Sequence, residues 1–177
     1  MYFIYNILHE KRDYMDNICG WHIANSILKK SFDEENYITF AKLNCLTYLL
    51  CSLYLYLNIN ELINERFEKT ELGPVLPSIY SKFHSFGNRV ITKYAKDIKG
   101  KTRGIYGANF DECLSSIWEK FKDIDDATIL SYIERGYSYS RREEGEILTK
   151  SDMLMDEIIR KERELEKAKS YIKKFNK

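Results

Sequence analysis

Residues Cys45 to Leu57, CLTYLLCSLYLYL, form the longest stretch dominated by apolar side chains, with Thr47 and Ser52 among them. Its 13 residues fall short of the roughly 20 that a bilayer span needs. A segment this apolar on every side has to be wrapped by the rest of the chain, so it predicts a core helix. Thr39 stands where an N-cap belongs, and the helix should run to about Leu57. The remaining sequence must supply elements with one apolar face each to cover it.

Such elements are readable on both sides. Gly20, Ile23, Ala24, Ile27 and Leu28 recur with helical spacing after Asp16, a candidate cap, and that helix should end near Lys30. Leu76, Ile79, Tyr80, Phe83 and Phe86 repeat the pattern, with Gly87 placed for a left-handed stop. Asn109 and Glu112 suggest a capping box for a helix with Phe110, Leu114, Ile117, Trp118 and Phe121 on one face. Asp126 opens another, with Ile129, Leu130 and Ile133 inward and Gly136 as its stop. GYSYSRREEGE then reads as a loop, and the glycine- and lysine-rich residues 89–110 as a short helix plus loop. Residues 67–72, and YFIYNIL near the start, could supply strands of a small hairpin. The expectation is a mainly α protein: a compact multi-helix domain with a possible small β-hairpin, plus a long C-terminal helix.

That last helix should run from Thr149 to Lys177, with about half of its residues charged. Leu154, Ile158, Leu165, Ala168, Ile172 and Phe175 follow a heptad interrupted by Lys161. A stripe of this kind buries against its own domain, a second copy or a target, so both monomer and homodimer are open, and Ile172 and Phe175 at the distal end are candidate partner contacts. The division expected is residues 1–148 as the helical domain and 149–177 as the charged amphipathic helix.

Chemistry-bearing patterns are scarce. The formal net charge is +1, which selects neither nucleic acid nor membrane as a partner. Cys19, Cys45, Cys51 and Cys113 show no CxxC spacing and all lie in helix-like patterns, which fits reduced thiols in a cytoplasmic protein. The opening residues have neither the basic region nor the cleavage site of a signal peptide. His9, His22 and His84 lack ligand partners at metal spacing, so no metal and no cofactor is expected. GKTRG lacks the full phosphate-loop pattern and reads as a turn. No nucleophile-base pair is readable, hence no catalytic residue is named and no enzyme is expected. One local charge concentration stands out: Arg89, Lys93, Lys96, Lys99, Lys101 and Arg103, with Asp97 as the single acid and Tyr94 and Tyr106 nearby. It could dock an acidic protein partner, neutralise phosphates, or simply be solvated.

The only two prolines, Pro74 and Pro77, sit in one stretch, TELGPVLPSIY. Gly73 allows a conformation closed to other residues, Pro74 keeps Gly73 out of the α region, and Pro77 suits a first helical turn. Together they predict a rigid corner between an extended segment and the helix bearing Tyr80. ANSIL, FAKLNCLTYLL, FEKTELGPVLPSIYSKF and SSIWEKFKDI occur in this order over about residues 16–135. The combination resembles the Panacea domain, or SocA-like family, most specifically at Gly73, Pro74, Val75, Pro77 and Tyr80. The chain departs from the family pattern at Cys45, where a lysine is usual, at Thr70, often tryptophan, and in ERGYSYSRREEGE, which replaces a histidine-containing segment.

The resemblance implies an antitoxin-like inhibitor that neutralises a protein toxin by binding it or by delivering it to a protease. An alternative is a phage-encoded anti-defence protein, such as an anti-CRISPR inhibitor of a nuclease effector of the host. Direct nucleic-acid binding through the basic run is a weaker one.

Overall fold

A computed structural model describes residues 18–58 and 61–155. Its elements in chain order are α1 (Gly20–Asp33), α2 (Phe40–Asn58), β1 (Phe67–Thr70), β2 (Gly73–Val75), α3 (Pro77–Phe83) followed by a 3-10 turn (His84–Phe86), α4 (Ala108–Phe121), α5 (Asp126–Glu134), α6 (Tyr137–Ser140), β3 (Ile147–Leu148) and α7 (Lys150–Met155). The protein is mainly helical with a small antiparallel sheet of order β2-β1-β3.

The apolar run becomes the middle of α2, buried on all sides from Phe40 to Leu55 except at a few positions. Thr39 caps it, its Oγ1 accepting from the Lys42 amide at 3.1 Å and pairing with Asp126. Though α2 has the length and apolarity to cross a membrane, most of it is enclosed by α1, α4, α5, α7 and β2. Tyr48, fully buried, meets Phe67 edge-on at 5.3 Å and Tyr139 at 6.4 Å, which ties the sheet and α6 to the core helix. Lys42 is also buried, and its ammonium donates to the carbonyls of Lys122 (2.7 Å) and Ile124 (2.6 Å) just past the end of α4. Burial pulls its pKa down, against the pull of Asp126, Asp123 and Asp125.

One carboxylate sets the relation of two helices. Glu65 Oε1 accepts from Gly20 N at the start of α1 (2.7 Å), and Oε2 accepts from Ser78 N in the first turn of α3 (3.1 Å). Ser78 Oγ in turn accepts from Trp21 N at 3.2 Å. Neither N-cap residue, Cys19 or Leu76, contributes an ordinary Ser, Thr, Asp or Asn cap, so Glu65 fills that role for both ends.

Several element limits differ from expectation. α1 starts with Cys19 as N-cap and runs to Asp33, and Asp16 lies outside the described residues. Asn109 is the second residue of α4, not its cap; Gly107 holds that place, and Asn109 Nδ2 donates to Asn58 Oδ1 at 2.8 Å instead. Phe86 belongs to a 3-10 turn, and Gly87 has φ 55° and ψ −127°, so it stops the chain without the left-handed helical cap. Residues 137–140 form a turn of helix inside the expected loop, the expected strand at 67–72 ends at Thr70, and β2 and β3 are strands beyond those expected. Most of the proposed C-terminal helix, with Ile172 and Phe175, lies outside the described residues, as does YFIYNIL. Its start is described: Thr149 and Asp152 form a reciprocal cap, Thr149 N donating to Asp152 Oδ2 at 2.7 Å and Asp152 N to Thr149 Oγ1 at 3.2 Å.

Candidate interaction site

The proline corner folds as a hairpin leading into a helix. Thr70 pairs with Gly73, Lys69 with Pro74 and Glu68 with Val75. β2 is an edge strand, where a proline costs no sheet hydrogen bond on its open side. Gly73 has φ 97°, a conformation that demands glycine, and a Cβ there would also displace the end of the Leu130 side chain, 2.9 Å away. Pro77 is the first residue of α3. Gly73, Pro74 and Val75 are buried and hold the fold together. Tyr80 faces solvent, half exposed, its ring stacked on His84 at 4.7 Å and 7°, and Pro77 is exposed as well.

The basic segment has no helix; it forms a projecting finger. Ile91 N donates to Ile38 O at 2.8 Å, which fixes the chain as it enters. The base of the finger is held by Asn25 on α1, only 2% exposed. Asn25 Nδ2 donates to the Ala95 carbonyl (3.0 Å) and the Arg103 carbonyl (2.7 Å), and Asn25 Oδ1 accepts from Ala95 N (2.9 Å). Both legs are thus gripped by one side chain. Ser26 adds a further hold, its Oγ accepting from Ile105 N at 2.8 Å.

Asp97 organises the tip. Its Oδ1 accepts from the amides of Lys99 and Lys101, both at 2.9 Å, and its Oδ2 from Arg103 Nε at 3.0 Å, while the Asp97 amide donates to the Lys101 carbonyl at 2.9 Å. The Lys101 amide, with the Lys99 amide and the Arg103 guanidinium, holds the Asp97 carboxyl below the usual carboxylate range against partial desolvation. Lys82 Nζ braces one leg from outside, donating to the Lys96 carbonyl at 2.8 Å.

Arg89, Lys93, Lys96, Lys99, Lys101 and Arg103 are all exposed. Four of them belong to the finger. Arg89 lies before it, its guanidinium directed at the carbonyls of Ser85 (3.1 Å) and Phe86 (3.4 Å), and Lys93 Nζ sits 5.8 Å from the Phe86 ring centre. At the tip, Ile98 is 100% exposed. Residues 89–106 carry six cations and one acid in a chain of net charge +1, so the remainder of the chain is net acidic. Positive charge is therefore concentrated on this segment.

The cations are visible in the sequence, whereas the residues that grip the base of the loop bearing them lie elsewhere in it. Asn25 and Ser26 belong to ANSIL, and the available signal was two polar side chains on an otherwise apolar helix face. Ile98 offered none, since an isolated isoleucine between lysines reads the same whether buried or exposed. Beside the finger's base, an open groove of about 290 Å³ is lined by Lys29, Asp33, Tyr106, Asp111 and Leu114 among others. Of its charged groups, Lys29 is engaged with Asp33 at 2.7 Å and Asp111 with the Gly107 amide at 3.2 Å. Among the described residues no three His, Cys, Asp or Glu side chains gather to hold a metal ion.

Compared with known proteins, the chain matches no family model, no curated protein and no solved structure.

Proposed function

We propose that this protein is a non-enzymatic inhibitor that acts by binding a protein partner, in the manner of the antitoxins that its motifs resemble. It neutralises that partner by occupying it or by presenting it for proteolysis. The observation that carries this reading is the finger: exposed cations on a loop fixed at its base by Asn25 and at its tip by Asp97. A loop already ordered loses little entropy on association, and segregated charge steers an acidic partner onto it. The buried corner at Gly73 to Val75 acts as scaffold, with Tyr80 as a second exposed contact on it. Free cysteines and an enclosed α2 support a cytoplasmic setting.

The test is to purify this protein together with the product of the adjacent gene, where an antitoxin's target is encoded. The two should form a complex whose affinity falls as salt rises, and the quadruple variant of Lys93, Lys96, Lys99 and Lys101 to Glu should bind far more weakly at low salt. A neighbour product that does not bind, or one that binds the quadruple variant as tightly as wild type, sinks the reading.

A further inference from the structure

We infer that the tip of the finger is itself the point of contact, with Ile98 seated in an apolar pocket of the partner protein whose rim carries carboxylates facing Lys96, Lys99 and Lys101. The inference rests on the inhibitor reading above and specifies its interface.

Ile98 is the one fully exposed residue among the large hydrophobics described as exposed; the next, Tyr106, is 69% exposed. An isoleucine is usually placed inside a protein, and one at the end of a floppy loop would partly fold back onto the surface. Here the backbone on either side is fixed, Asp97 by the Lys101 carbonyl and Lys99 by the Asp97 carboxylate, so the side chain is held outward. An apolar group surrounded by charge is the arrangement of an interface centre with its rim: the centre is desolvated on binding and the rim sets orientation. Lysines at 96, 99 and 101 define that rim as positive, which fixes the partner's as negative by complementarity.

The same features weigh against other anionic occupants. An aliphatic tip offers a nucleic-acid base no π-face on which to stack. A membrane surface is broad and would also meet the net acidic remainder of the chain, while one isoleucine supplies less apolar anchorage than a single acyl chain, itself marginal. A pocket on a protein fits one protruding side chain.

Ile98→Ser removes the apolar centre and leaves every charge and every described hydrogen bond of the finger in place. Paired with Lys99→Glu/Lys101→Glu, it separates the two halves of the inference. Binding to the purified product of the adjacent gene should be measured by calorimetry at low and high salt. Ile98→Ser should lose roughly tenfold or more in affinity at both salt concentrations. The lysine variant should lose affinity mainly at low salt. Wild type should show no comparable binding to vesicles of phosphatidylcholine and phosphatidylglycerol or to a single-stranded oligonucleotide. If the neighbour product binds wild type and Ile98→Ser alike, the inference falls and the inhibitor reading stands. If it binds neither, both fall. If the vesicles or the oligonucleotide bind instead, in a way that Ile98→Ser abolishes, the occupant has been assigned wrongly and the inference is overturned.

Discussion

Asn25 and Ala95 exchange two hydrogen bonds across a separation of 70 residues, the Ala95 amide donating to Asn25 Oδ1 at 2.9 Å and Asn25 Nδ2 to the Ala95 carbonyl at 3.0 Å. A side-chain amide here does what a neighbouring strand does in a sheet. It satisfies backbone groups that burial against α1 would otherwise leave without partners.

Asn25→Ala should therefore destabilise the protein by about 2–4 kcal/mol, since the Ala95 amide and carbonyl lose their partner in a buried position and the Arg103 carbonyl loses its own in a partly buried one. Urea unfolding checks the magnitude, and hydrogen exchange of the Ala95 amide checks the cause. Full stability with unchanged exchange would mean that water replaces the side chain and that the clamp is dispensable.

Two glycines should resist alanine for different reasons. At Gly20 a Cβ would stand 2.4 Å from Leu76 Cδ1, so the contact of α1 with the start of α3 must open; at Gly73 the backbone lies at φ 97° and Leu130 is also near. Each substitution should cost about 1–3 kcal/mol. Thermal denaturation of Gly20→Ala, Gly73→Ala and, as a control at an open position, Ser81→Ala would show the ordering. Equal stability of all three would remove the case for close approach.

Acid should loosen the finger before it unfolds the domain. Asp97 binds its proton more weakly in the folded state than in the unfolded chain, so the stabilisation it gives is complete above the ordinary carboxylate value and vanishes as pH falls through its lowered folded value. The amides of Lys99 and Lys101 should keep their protection and chemical shifts between pH 5 and 8 and lose them only once pH falls below the ordinary carboxylate value. NMR titration of these two amides reads this directly, and a transition centred near neutral pH would assign the brace to another group.

The cysteines should be slow to react while the protein is folded. Burial pushes the Cys45 thiol up to about 12 and the Cys113 thiol up to about 11, and raises Cys51 further still. Cys19 is raised too, by burial and then by the nearby Glu65 carboxylate. Because the thiolate is the nucleophile, a disulfide reagent at pH 8 should label these residues slowly in the native protein and all four at once in denaturant. Rapid native labelling of Cys51 would contradict the enclosure of α2.

What could be read in advance depended on how local the determinants are. α2 announced itself through a continuous apolar run and a Thr39 cap within three residues of its amide partner Lys42. The corner was legible because Pro74 fixes its own φ and keeps Gly73, whose φ of 97° suits glycine alone, out of the α region, whereas the strand character of β2 was not, since it comes from pairing with β1. β3 was not, because its two residues acquire strand character only by pairing with Phe67 and Glu68 about 80 positions earlier. The cap of α4 was misplaced for a related reason: Asn109 has the right chemistry, but Asn58 on α2 offers its side chain a partner. The finger is the extreme case. Its cations were visible as composition, and Asp97 as their single acid, but the hold on its base comes from Asn25 and Ser26 on another element, which residues 95–105 alone do not reveal.

The hold that Asn25 exerts falls entirely on main-chain atoms, those of Ala95 and Arg103. A grip on backbone is indifferent to the side chains beyond it. Residues 96–102 can therefore be exchanged as a cassette, provided that the replacement closes a turn of the same span, while the scaffold keeps its core. The domain resembles a handle with a replaceable bit: a library confined to these seven positions would vary the exposed tip without disturbing the core.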